Sequence, residues 1–153
     1  MPGFVLTLRI LDALSVFYVA GVFVYGISVL LYSGVYTYAI KLAIMAAVPF
    51  VILSVMRVLV NSPRPYETFE IPEFSEMKDK RKSGRSFPSR HVFSAFLIGT
   101  LWLPYALSFG IAAILLGAFL AAERVLRGIH FMRDVLVGAV IGVLSGVVGI
   151  LIL

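Results

Sequence analysis

Charged residues are sparse along this chain, and the uncharged stretches between them have membrane-spanning length. No charge occurs from Ala13 to Ile40. About 20 apolar residues cross a bilayer as a helix, so this stretch predicts a first span ending near Tyr32, preceded by a short interfacial helix. After the turn "SGVYTY", a second span is predicted from about Tyr38 to Val60, through Pro49 as a kink. "NSPRP" ends it, because each proline disfavours helix in the residue before it. Val92 to Ala122 is also uncharged, too long for one span and short for two. Pro104 and Gly110 punctuate it and divide it into a span from about Ser89 to Leu103 and another from about Leu107 to Leu126. A last span runs from Asp134 to Leu153, and its "GAVIGVLSGVVG" has small residues at spacings that suit close helix packing.

Two polar segments interrupt this pattern. Residues 61–90 form a long loop or cap, and "RGIHFMRD" forms a short one. Five spans place both segments on one membrane face, together with the N-terminus. The predicted fold is all-α, a polytopic membrane helix bundle of about five transmembrane helices in a single domain, 1–153. Arg57, Arg64, Arg90, His91, Arg124, His130 and Asp134 then gather on one face.

Composition supports the membrane reading. The chain is 61% hydrophobic and 14% charged, with a mean hydropathy of +1.03, whereas soluble domains are about 45–50% apolar and about 25% charged. The N-terminal apolar run is too long for the core of a cleaved signal peptide. There are no cysteines, which excludes a disulfide framework, a thiolate nucleophile and a Cys-based metal site. The net charge of +5 points to anionic lipid or phosphate as partner. No basic helix with interleaved exposed aromatics supports nucleic acid. Oligomeric state is not legible.

Three short patterns carry the chemistry. In "RVLVNSPRP", Arg57 ends the second span and Arg64 follows between prolines that let it fold back; two converging guanidiniums match phosphate oxygens. In "PSRH", Pro88 opens a helix whose N-terminal amides, near Ser89 and Arg90, form an anion site, and His91 adds a proton donor. In "ERVLRGIHFMRD", His130 and Asp134 are four apart, on one helical face. The carboxylate can fix a histidine tautomer and free the other ring nitrogen to attack. Gly128 offers a break that returns Arg124 to the same place. Singly, each pattern also fits plain membrane-protein design: snorkelling arginines, a serine cap, a capping aspartate. Jointly they supply a nucleophile, an orienting acid, a proton donor and several phosphate clamps. No carboxylate cluster has metal-binding spacing, so the set points to phosphoryl transfer with no metal and no cofactor.

The order and spacing of these residues resemble the type 2 phosphatidic acid phosphatase family. Its signature reads here as Arg57, six residues, Arg64-Pro65; Pro88-Ser89-Arg90-His91; and Glu123-Arg124, five residues, His130, three residues, Asp134. The resemblance covers roughly residues 50–150. It implies that His130 forms a phosphohistidine, Asp134 orients it, and His91 protonates the leaving alkoxide and then activates water. Arg57, Arg64, Arg124 and amides near Ser89 and Arg90 would bind the phosphoryl oxygens. Three positions depart from the pattern: Arg57 stands for lysine, Arg90 for glycine and Glu123 for serine. The implied activity is that of a membrane lipid phosphatase. Its substrate would be polyprenyl pyrophosphate, or a phosphatidyl phosphate such as phosphatidylglycerophosphate or phosphatidic acid.

The alternative is a non-catalytic membrane protein that binds or transports lipid phosphates, but phosphate binding alone needs the arginines and not two histidines with an aspartate. An ion channel fits poorly, since spans two to four carry no acid before Glu123, at the exit of the fourth. All Lys and Arg except Lys41 fall on the site's face, which the positive-inside rule assigns to the cytoplasm. The resemblance implies a site facing outward from a bacterial or archaeal cell membrane, and outward is the expectation adopted, because several of these cations belong to the site.

Overall fold

A computed structural model describes residues 2–69 and 84–153, with side chains from Leu6 onward. The described residues form five long helices and one single-turn helix: α1 (Pro2–Tyr32), α2 (Tyr36–Val60), α3 (Pro65–Thr68), α4 (Arg90–Trp102), α5 (Leu107–Leu126) and α6 (Met132–Ile152). The expected all-α membrane bundle is observed. Helix α1 is continuous where a separate interfacial helix was expected. The continuous helix brings Asp12 to a buried partner, Arg124. Glu70, Glu73, Glu76 and "KDKRK" lie outside the described residues.

Four helices are long and apolar enough to cross a membrane: α1, α2, α5 and α6. The fifth, α4, has only 13 residues, about 20 Å at 1.5 Å per residue, against a hydrocarbon core of about 30 Å. This resolves the uncharged stretch that was too long for one span. Helix α4 packs most extensively against α6 and α5, and also touches α1 and α2. Seven of its residues are buried, from Val92 to Leu101. Large apolar side chains point outward elsewhere, among them Phe17, Leu59, Leu115 and Leu151. Such a surface would be a liability in water and is the expected one in lipid.

Glycines let α4 sit at the centre. A methyl at Gly138 would lie 2.7 Å from the Ser89 carbonyl oxygen, and one at Gly142 would lie 2.6 Å from that of Phe93. On the other side, a methyl at Gly110 would lie 2.8 Å from the Gly99 carbonyl oxygen. Backbone therefore meets backbone on both flanks of α4, the close approach that small residues permit in membrane helices. Gly142→Val should cost about 1–3 kcal/mol by overpacking, read as a lower unfolding midpoint in detergent. Gly21→Ala on α1 meets nothing within 4 Å and should not lower it. Equal losses in the two variants would contradict this packing.

At the far end of the bundle, Tyr38 and Tyr105 share a hydroxyl–hydroxyl bond of 2.7 Å. Lys41 Nζ lies 3.4 Å from the Ile152 carbonyl oxygen, a cation at the negative end of α6. The opposite end holds the three motifs.

Candidate active site

Helix α2 ends where Asn61 takes the left-handed conformation, φ 42° and ψ 41°. The chain then returns over the end of the bundle, and Arg57 and Arg64 are buried there. Both arginines tie the two ends of the polar segment together. The Arg57 guanidinium donates to the carbonyls of Arg85, Ser86 and Pro88. Arg64 donates to Gly84 O at 3.2 Å and to Ile129 O at 3.2 Å. Ser86 N–H reaches Ser62 O at 2.9 Å, and Gly84 N–H reaches the Glu67 carboxylate at 3.0 Å. Buried cations on several fixed carbonyls hold the approach to α4 in one shape. The expected return of Arg64 towards Arg57 is observed: the two guanidiniums hold the carbonyls of the adjacent residues Gly84 and Arg85.

Helix α5 stops at Leu126 because Gly128 adopts φ +61°, a left-handed backbone that glycine takes at no steric cost. The Ile129 and His130 N–H groups fold back onto Arg124 O at 2.9 and 3.2 Å. His130 therefore sits just before α6, not within it as the four-residue spacing had suggested. The spacing still works, because Asp134 lies in the first turn of α6. Its Oδ2 accepts from Phe131 N–H at 3.1 Å and lies 3.5 Å from His130 Nδ1. Ser86 stands between the two: its hydroxyl donates to Asp134 Oδ2 at 2.5 Å and lies 3.3 Å from His130 Nδ1. The carboxylate and the hydroxyl together assign the proton to Nδ1 and leave Nε2 with its lone pair.

His130 is only 3% exposed. Burial, with the Arg64 and Arg124 charges, pulls its pKa down to about 4, against the opposing pull of Asp134. Depression favours the neutral ring, so the lone pair survives from neutral pH down towards pH 4. The chain has two histidines, so a His91→Asn variant leaves a single ring to follow by NMR. Its titration midpoint should fall near 4, and a midpoint near 6.5, the ordinary value, would contradict this environment.

Ser89 caps α4. Its N–H is not open to an anion as the sequence had suggested, because it donates to Asp134 O at 2.9 Å. Its hydroxyl is buried with no hydrogen-bond partner among the described residues, as is Arg124 Nε. The amides that follow Ser89 belong to the first turn of α4, where intrahelical acceptors are missing. Arg90 is exposed, with its guanidinium 5.9 Å from the centre of the Phe50 ring. Arg90 and His91 line a cavity of about 410 Å³ whose walls are otherwise mostly apolar side chains of α1, with Phe50, Ile98 and Leu120.

Arg124 forms a 2.5 Å ion pair with Asp12 of α1. Glu123, the departure from serine, is buried and pairs with Arg127 one turn on. From sequence, Glu123 could either loosen the clamp or pair with an arginine; it pairs, with Arg127. Ser86, Asp12 and Arg127 were assigned no role from sequence. Ser86 stood in the polar run before α4, and its place in that run was the only signal.

These motifs match a known family over most of the chain. The model described as PAP2 superfamily matches residues 37–153. The crystal structure of Aquifex aeolicus LpxE has a similar fold, with a TM-score of 0.69 and 24% sequence identity over 97% of this chain and 86% of that one. No curated protein matches. On the family match, this chain belongs to the PAP2 superfamily and is a membrane lipid phosphatase.

Proposed function

We propose that this protein hydrolyses a phosphate or pyrophosphate ester of a membrane lipid through a phosphohistidine at His130, without a metal ion. The observation that carries the reading is the buried His130 ring, held at Nδ1 by Ser86 and Asp134 and flanked by the charges of Arg64 and Arg124. Nε2 attacks phosphorus, a nitrogen–phosphorus bond forms, and the bond from phosphorus to the lipid oxygen breaks. His91 gives that oxygen its proton. A water then attacks the phosphohistidine, losing its proton to His91 and releasing inorganic phosphate. Arg57, Arg64, Arg124, the Ser89 hydroxyl and the first amides of α4, that of Arg90 included, bind the phosphoryl oxygens. Removing one such donor costs about 10²–10³-fold in other enzymes.

The apolar cavity beside Arg90 and His91 suits the lipid tail, which keeps the scissile phosphate at the membrane surface. The site faces outward in this reading. Purified protein in detergent with EDTA should release phosphate from lipid phosphates and leave soluble sugar phosphates nearly untouched. Turnover that needs an added divalent ion would overturn the metal-free mechanism. A folded protein that binds lipid phosphates and releases none would be a binding module.

A further inference from the structure

Arg90 stands apart from the other arginines of the site. Arg57 and Arg64 are engaged by carbonyls, and Arg124 and Arg127 by carboxylates. Among the described residues Arg90 has neither kind of partner; its guanidinium lies over the Phe50 ring. The same side chain is an exposed wall of the tail cavity, beside His91, Ser94, Phe23 and Ile98. Residues 90, 94 and 98 repeat every four along α4, so the cavity follows one helix face from its cationic end into apolar surroundings. Arg57 in turn holds the carbonyl of Pro88, two residues before Arg90. Arg90 thus bridges the phosphate clamp and the cavity.

We infer that Arg90 is a specificity residue that binds a second phosphoryl group on the tail side of the scissile bond, so that the preferred substrate is a lipid diphosphate. The inference rests on the phosphatase reading above and names the substrate class of that same site. His91, the next residue, serves the oxygen that leaves. A group bonded directly across that oxygen falls within reach of Arg90. A phosphodiester set back by a glycerol unit falls further along the cavity, where the walls are apolar.

The chemistry is consistent with this placement. His130 Nε2 attacks the terminal phosphorus, and the bond from that phosphorus to the bridging oxygen breaks. The electron pair goes to the lipid monophosphate, whose added charge meets the Arg90 guanidinium in a charge-assisted, bidentate geometry. Water then cleaves the phosphohistidine to inorganic phosphate. A phosphate leaving group, with its second pKa near 6, needs far less proton donation than an alkoxide, whose basicity is close to that of hydroxide.

The test compares farnesyl diphosphate with farnesyl monophosphate, which share one tail, in detergent with EDTA. Wild-type kcat/KM should favour the diphosphate. Arg90→Gln should lower the ratio of diphosphate to monophosphate kcat/KM by about 10- to 100-fold, the usual worth of a hydrogen bond to a charged group. Arg90→Lys should restore part of that ratio, a response that a merely structural role would not give. His91→Ala should cost more on the monophosphate than on the diphosphate. A ratio unchanged in Arg90→Gln, with both lipids still turned over, would overturn the role of Arg90 and leave the phosphatase reading standing. No turnover of either lipid by folded wild-type protein would overturn the diphosphate inference, and no release from phosphatidic acid or phosphatidylglycerophosphate either would overturn the phosphatase reading as well.

Discussion

Alanine at position 130 is expected to lower phosphate release by about 10⁴-fold or more, the scale seen when a covalent nucleophile is removed. The chain has no cysteine, and its second histidine, His91, lies in the first turn of α4. In the proposed mechanism no other side chain among the described residues replaces His130. The loss should not come from unfolding. Ser86 and Asp134 remain bonded to each other at 2.5 Å without the ring, and Asp134 still caps α6 through Phe131 N–H. The unfolding midpoint in detergent should therefore fall modestly while activity vanishes. His130→Asn should be equally inactive. More than about a tenth of wild-type activity in a His130→Ala preparation would place the nucleophile elsewhere, far outside the loss expected here.

Asp134→Asn should lower kcat by about 10³- to 10⁴-fold with little change in KM, as loss of the orienting carboxylate does in hydrolytic triads. Asp134 Oδ2 takes the Ser86 hydroxyl and the Phe131 N–H, and it is the counter-charge nearest His130 Nδ1. An asparagine amide has one acceptor oxygen and turns a donating NH₂ towards groups that are themselves donors. The ring then loses the partners that hold its proton on Nδ1, and Nε2 carries the proton instead of the lone pair. Ser86→Ala should be milder, about 10-fold, because it removes one neutral hydrogen bond and leaves the carboxylate in place. The ranking His130→Ala, then Asp134→Asn, then Ser86→Ala is checked by kcat on one lipid substrate. A Ser86→Ala loss as large as that of Asp134→Asn would show that the hydroxyl, not the charge, fixes the tautomer.

Much of the site was legible because its spacing depends on local backbone chemistry. Gly128 announced the break that returns the chain over Arg124, and the structure gives it φ +61°. The prolines after Asn61 announced the fold-back of Arg64. The glycines of α6 announced a close neighbour, and α4 is that neighbour. What escaped sequence reading depends on contacts between distant segments. Asp12 and Arg124 are 112 residues apart, and nothing local to either residue announces the pair. Ser86 acts only because Arg57 and Ser62 pin its backbone next to Asp134. Its residue type carries no sign of that. The Ser89 amide was read as an anion donor from its position at a helix start, but α6 packs close enough to take that hydrogen bond itself.

The measurement that tests the central claim most directly is capture of the covalent intermediate. Wild-type protein is mixed with a lipid phosphate labelled in the scissile phosphoryl group and quenched within milliseconds in alkaline denaturant, which preserves phosphohistidine. The expected result is label on the peptide that contains His130, approaching one phosphoryl group per active chain, with none in His130→Ala. A wild-type enzyme that turns over the lipid while its His130 peptide stays unlabelled, with inverted configuration at a chiral phosphorus, would show direct attack by water and contradict the phosphohistidine route.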